Sequence, residues 1–271
     1  METQEKEAVA AGTKERTAER KRAAAGPVPV DSLLNRLRAE FPFPDYFYLT
    51  LESHRTFLNA VRQWVPRGGR VLDIGCGPLD KTALLAWDGY DCIAVDDLRD
   101  EWHRTGDNLK KITGFARKTG VDLTVSDGET LPANAKNMDA VVMLDVIEHL
   151  HASPKALMEA ALGRLKSGGV IIITVPSAVN LRKRLDVLRG RTNYPPYKQF
   201  FDAPVWRGHV REYAKDDLRQ LANFMNLEIL ELRGIDQMLG VLPAAIHKPY
   251  LFFTRYVPDV KDSWLLVVRK P

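Results

Sequence analysis

This sequence predicts an α/β fold built on a parallel sheet covered on both faces, and three observations carry that prediction. Short apolar runs recur from residue 70 onward: "RVLDIGC", "DCIAVDD", "DLTVSD", "MDAVVMLDV" and "GGVIIITVPS". Helix-forming stretches separate them, namely "LDKTALLAWDG", "EWHRTGDNLKKITGFARKTG" and "SPKALMEAALGRLKSG". The runs are nearly continuous rather than alternating, as expected of strands buried on both faces. Right-handed crossovers join such units into a doubly wound sheet.

At 271 residues, 45% hydrophobic and 27% charged, the chain can bury a sizeable core in one large domain. Residues 1–28 mix both charge signs with Ala, Gly and Thr, have no apolar core of a secretory signal, and read as a disordered tail. Glu2, Glu5, Glu7, Glu15 and Glu19 argue against an organelle transit peptide, which leaves the cytoplasm as the expected location. Residues 29–66 read as an N-terminal helical lid. Asp31 is placed to cap "SLLNRLRAEF", whose Leu33, Leu34 and Leu37 share a face. The proline-punctuated "FPFPDYFYLT" follows, with Tyr46 and Tyr48 as candidate ligand contacts and Phe41 and Phe43 as packing residues. A second amphipathic helix, "LESHRTFLNAVRQWV", ends at "PRGG". Near the C-terminus "LEILELRGI" and "DSWLLVVRKP" read as an antiparallel pair at the sheet edge, because no clear crossover helix joins them. No apolar run approaches the ~18 residues that span a bilayer. Cys76 and Cys92 lie in apolar contexts and read as reduced thiols. A net charge of +4 is too slight to indicate a nucleic-acid binder.

The strongest local signal is "VLDIGCGPLDK". A strand ends at Ile74 and Gly75-Cys76-Gly77 turns into a helix, a place where the backbone must approach a ligand closely. A pyrophosphate turn would carry a third glycine where Asp80 stands, and an acid there opposes phosphate. Asp73 at the strand end suits a cationic or amine-bearing ligand, and Asp96 at the end of the next strand suits ribose hydroxyls. A nucleoside with a positive centre and no phosphate satisfies both.

Read in order, "VLDIGCGPLDK", "IAVDD", "SDGETLP", "MDAVVMLDVIEHL" and "LKSGGVIIITVPS" resemble class I S-adenosylmethionine-dependent methyltransferases. The likeness is best over residues 70–177 and continues through "GHVREYAKDDLRQLANFMNLEILEL". It implies a Rossmann-like, seven-stranded, mostly parallel sheet with the last strand antiparallel between its neighbours and helices on both faces. On that pattern residues 67–271 form the methyltransferase domain, with a substrate-cap insert at about 178–212. S-adenosylmethionine is the implied cofactor. Asp73, Gly75, Cys76 and Gly77 would meet its methionyl end, and Asp96 and Asp97 its ribose. Asp127 and Gly128 would meet the adenine, and Leu144 and Asp145 would close the pocket.

"LDVIEHLH" then falls at the carboxyl edge of the sheet, where open α/β folds bind ligands. Together with "GHVREY" it resembles the methyltransferases of ubiquinone biosynthesis and of small-RNA 3′ ends. That resemblance implies a divalent ion, Mg²⁺ or Mn²⁺, on Asp145, Glu148, His149 and His209. Those families have Glu where Asp145 stands, so the shorter side chain departs from the pattern. The alternative is general-base chemistry by His149 or His209, which makes Glu148, His149 and His209 the candidate catalytic residues under either reading. His151 reads as solvent-facing, and His54, His103 and His247 as surface or packing residues.

The insert interleaves Arg182, Lys183, Arg184, Arg189, Arg191 and Lys198 with Tyr194, Tyr197, Phe200, Phe201 and Trp206. Such a surface suits an anionic acceptor, and a solvated helix face explains the charges equally well. The expected activity is O-methylation of a hydroxylated small molecule or glycan. The competing readings are an RNA 2′-O-methyltransferase and a non-catalytic S-adenosylmethionine-binding protein. The apolar "QMLGVLPAAIHKPYLFF" either docks on the insert or forms a dimer contact, so the chain is expected to be a monomer or homodimer.

Overall fold

The computed structural model describes residues 26–46, 51–126, 130–192, 194 and 197–271. Residues 1–25 of the expected tail, Tyr48, Asp127 and Gly128 lie outside the described residues. Seven strands, β1 (Arg70–Ile74), β2 (Asp91–Asp96), β3 (Asp122–Val125), β4 (Met138–Leu144), β5 (Leu165–Pro176), β6 (Glu228–Ile235) and β7 (Ser263–Arg269), form one sheet. Their order is β3-β2-β1-β4-β5-β7-β6. β1 to β5 pair in parallel, and β7 runs antiparallel between β5 and β6, with Val170 opposite Arg269 and Glu228 opposite the same residue. The order reverses at β1 and β4, whose carboxyl ends open the crevice in which doubly wound sheets bind ligands.

Period-two alternation divides each central strand between two helical layers. Val71, Ala140, Val142 and Ile172 face one core with Leu33 and Leu37 of α1 (Val30–Glu40) and Phe57 and Val61 of α2 (Leu51–Trp64). Leu84 of α3 (Asp80–Trp87) completes that face. Leu72, Val141, Met143 and Ile173 face the other, with Met158 of α6 (Lys155–Arg164) and Leu218 of α9 (Lys215–Phe224). The two N-terminal helices are thus packed into the first core.

Three local expectations are corrected. Asp31 sits inside the first turn of α1 rather than at its cap, and its carboxylate takes Arg55 of α2. The helical stretch after β2 breaks into α4 (Glu101–Arg104) and α5 (Asn108–Thr119), with Gly106 at φ +58° between them. The link between β6 and β7 holds a helix, α10 (Ala244–Tyr256), although the strands still pair antiparallel. His54 and His103 are buried, the packing alternative of the two expected. His54 is fully buried on α2, and its Nε2 lies 2.6 Å from Asp80 Oδ2 at the start of α3. Removing one member of a buried pair strands the other charge, so His54→Ala should lower unfolding free energy by about 3–5 kcal/mol, as read by urea denaturation. Among the described residues no helix is long and apolar enough to cross a membrane.

Candidate active site

The turn after β1 is fastened to β2. Gly75 N–H and Cys76 N–H donate to the Val95 carbonyl at 2.8 and 3.3 Å, and Gly77 N–H donates to Asp96 Oδ2 at 2.8 Å. Gly75 lies at φ +72°, and a Cβ there would stand 2.5 Å from Val146, so the loop after β4 can close onto the turn only past a glycine. Gly77, at φ +51°, has open space where its Cβ would be. Cys76 is buried, and burial pushes its thiol well above the ordinary range, which keeps it out of nucleophilic chemistry.

Asp73 is buried beneath this turn. Thr82 Oγ1 donates to its Oδ2 at 2.6 Å, while Oδ1 accepts no hydrogen bond among the described residues. Burial pushes its carboxyl up to about 7 against the pull of Thr82 and Lys81. The second oxygen of Asp96 accepts the Leu98 N–H at 2.7 Å. Leu144 is buried at the end of β4. Asp145 follows at φ +58°, a conformation aspartate tolerates, and its carboxylate turns toward the crevice. Thr174 Oγ1 and Gln237 Nε2 both donate to its Oδ1 at 3.2 Å, and Lys81 Nζ reaches its Oδ2 at 3.4 Å. Over these acids stands Tyr46, whose hydroxyl is raised above its ordinary range by Asp80 first, then by burial and by Asp145 and Asp96. Phe41 and Phe43 pack as expected, edge-on to Phe115 and tilted on Trp102. An open buried carboxylate oxygen, a turn with room at Gly77 and a ring of acids fit a ligand with a cationic amino-acid end.

Next to this pocket, one ligand atom from each of Glu148, His149 and His209 lies within 4.8 Å of the other two. Glu148 is fully buried in a 3₁₀ turn (Ile147–His149), and neither carboxylate oxygen accepts a hydrogen bond among the described residues. Burial, reinforced by Asp145, holds its carboxyl well above the usual carboxylate range. The ring of His149 meets that of His209 edge-on at 5.0 Å. Both rings are oriented through Nδ1. His149 donates to the Arg207 carbonyl at 2.8 Å, and His209 to Glu212 Oε1 at 2.9 Å. A ring held this way through Nδ1–H presents the Nε2 lone pair to the centre. Burial opposes ionisation of Glu212, yet His209 and Lys183 hold its carboxyl below the usual range. Lys183 itself is buried and bonds Glu212 and the Ser177 carbonyl, so it does not belong to the insert's charged surface. Asp145, placed with these residues by the sequence, lies outside the cluster. His151 is exposed, as expected, and bonds the Trp206 carbonyl at 2.9 Å.

Residues 206–211 strap this cluster to the loop after β2. Val210 and Arg211 N–H donate to the Glu148 carbonyl at 2.7 and 3.1 Å. The Arg207 guanidinium binds Asp97 at 2.9 Å and Asp100 at 2.8 Å. Asp97 is therefore engaged by the strap as well as standing beside Asp96. Because Arg207 is half-exposed, Arg207→Ala should change global stability by less than about 1 kcal/mol. It should instead speed hydrogen exchange at the Val210 and Arg211 amides. Lys81, Thr82, Gln237, Arg207 and Glu212 went unassigned in the sequence; Arg207 and Glu212 flank His209 in "WRGHVREY".

A family model described as a methyltransferase domain matches residues 49–232, more than half of the chain. Ubiquinone biosynthesis O-methyltransferases are among the similar curated proteins. The one from Rickettsia canadensis is 30% identical over 120 residues, covering 44% of this chain and 46% of that protein. The one from Xanthomonas axonopodis is 31% identical over 110 residues, covering 40% and 44%. The chain thus spans under half the length of these two relatives. Among solved structures, an S-adenosylmethionine-dependent methyltransferase from Thermotoga maritima superposes with TM-score 0.55 at 16% identity, over 90% of this chain and 100% of that one. A chain of the Haloferax volcanii complex between the Trm112 activator and a methyltransferase superposes with TM-score 0.56 at 16% identity, over 92% and 100%. With the family match laid over the turn, the acids and the sheet order, the chain belongs to the methyltransferase domain family.

Proposed function

We propose that the protein transfers a methyl group to a hydroxyl of a small molecule or glycan, with a divalent cation held by Glu148, His149 and His209. One observation carries this reading. Glu148 is a fully buried carboxylate that accepts no hydrogen bond among the described residues, set beside two imidazoles whose Nδ1 atoms are already committed. Buried carboxylates are costly unless paired, and a cation at this point would satisfy all three groups at once. Asp145 is no part of this ligand set, its oxygens being held by Thr174, Gln237 and Lys81.

When bound, S-adenosylmethionine supplies a methyl group on a sulfonium already activated for displacement. A cation on the triad lowers the pKa of a hydroxyl bound to it. The chain's residues provide the rest. Asp73, Asp96 and the Gly75–Gly77 turn would hold the cofactor. Glu212, anchored by Lys183, fixes the ring of His209, and the Arg207 carbonyl fixes that of His149. We read Tyr46 as part of the cover that excludes water, in keeping with an N-terminal lid. The exposed Arg189 and Arg191 of the insert favour an acceptor carrying negative charge. The ubiquinone-biosynthesis relatives, named as O-methyltransferases, support oxygen as the acceptor atom.

A second reading rests on the His209–Glu212 pair at 2.9 Å, which resembles a general-base dyad. The test is transfer of labelled methyl to panels of vicinal diols, glycans and short RNA, with EDTA or added Mn²⁺. Loss of activity in EDTA with recovery in Mn²⁺ supports the cation. Activity indifferent to EDTA but lost in His209→Ala replaces it with the dyad. Salt-sensitive transfer to RNA alone replaces the small-molecule acceptor.

A further inference from the structure

Lys81 has so far appeared only as a partner of Asp145 and a neighbour of Asp73. It follows Asp80 in the first turn of α3, its side chain is only 17% exposed, and it extends across the crevice toward the end of β4. Its contact with Asp145 Oδ2 is long, 3.4 Å, against about 2.7–2.9 Å for a strong charge-assisted hydrogen bond. Asp145 does not depend on it, because Thr174 and Gln237 already donate to the other oxygen. A lysine held so loosely keeps donors available to a ligand.

Its surroundings define the ligand. Burial works to discharge the Lys81 ammonium, but Asp145, Asp80 and Asp73 outweigh burial and keep it charged. Lys81 in turn pulls against the burial-raised carboxyl of Asp73, so the two groups feel one another within a single pocket. Asp73 is 2% exposed and its Oδ1 has no donor among the described residues. The crevice therefore offers an open acceptor oxygen on Asp73 and a loosely held cation on Lys81. That arrangement matches a zwitterion, with an ammonium toward Asp73 and a carboxylate toward Lys81. We propose that Lys81 receives the carboxylate of the cofactor's amino-acid end, displacing its long contact with Asp145, and so selects cofactors in which that end is intact. The inference is independent of the cation and of the acceptor.

Calorimetric binding of two ligands tests it without any acceptor. One is S-adenosylhomocysteine. The other is its decarboxylated analogue, which keeps the ammonium and lacks only the carboxylate. The wild-type protein is expected to prefer S-adenosylhomocysteine by at least about tenfold. Lys81→Met and Lys81→Gln should each bring that ratio close to unity by weakening S-adenosylhomocysteine alone. Unchanged affinity for the analogue shows that the pocket is still formed. A wild-type ratio near unity, a ratio unmoved by both substitutions, or parallel weakening of the two ligands would overturn the proposal. The wild-type ratio decides even if neither variant folds.

Discussion

Alanine in place of His209 is expected to lower kcat for methyl transfer by about 10²-fold or more, while S-adenosylhomocysteine affinity changes by less than about threefold. The asymmetry follows from position. His209 faces Glu148 and His149 rather than the Gly75–Gly77 turn, and its ring is bonded to Glu212, not to any group of the cofactor pocket. Glu148→Gln should lower the rate comparably and yet stabilise the cation-free fold, since a neutral group replaces a buried carboxyl that accepts no hydrogen bond among the described residues. That gain is expected at about 1–3 kcal/mol in urea denaturation at neutral or higher pH. The carboxyl of Glu148 is held above its usual range, so a proton must leave before a cation can be gripped. Cation affinity should therefore rise from about pH 6 to about pH 8, with protons released.

Asp73→Asn is expected to weaken S-adenosylhomocysteine binding by about tenfold or more and to change how stability depends on pH. In the cofactor-free protein burial raises the Asp73 carboxyl to about 7 from its ordinary 3.8. Between those values the folded protein keeps a proton that the unfolded chain has released, so folding stability falls as pH rises through that window. At about 1.4 kcal/mol per unit the decline attributable to this one group approaches 4 kcal/mol. Asparagine cannot ionise and should flatten that part of the profile. Denaturation of both proteins at about pH 4.5 and about pH 7.5 measures the difference. A wild-type profile no steeper than that of the variant would show that Asp73 is ionised at no cost.

What was legible in the sequence was whatever the strand period and the sheet order place by themselves. Asp73 and Asp96 end neighbouring parallel strands, so a turn after β1 must meet the acid that ends β2. Glu148 and His149 follow β4 directly, and the likeness of "GHVREY" to a known pattern was enough to single out His209. The partners of these residues were not legible, because they depend on how distant segments cross. Glu212 joins His209 to Lys183 of the helix Leu181–Leu188, and Lys183, read as one more surface cation, is buried there. The pairing of His54 with Asp80 needs α2 laid against the start of α3, which no local pattern encodes. Asp145 shows the limit most clearly. Its identity and spacing matched a ligand set, but φ +58° turns the carboxylate toward Lys81, Thr174 and Gln237 and away from the two histidines.

The most direct test of a cation on Glu148, His149 and His209 is a titration of the purified protein with Mn²⁺, followed by electron paramagnetic resonance. The expected result is stoichiometric binding at one site that is lost in Glu148→Gln and in His149→Ala but kept in Asp145→Asn. Binding that survives the first two substitutions, or no binding together with methyl transfer unaffected by EDTA, would contradict it.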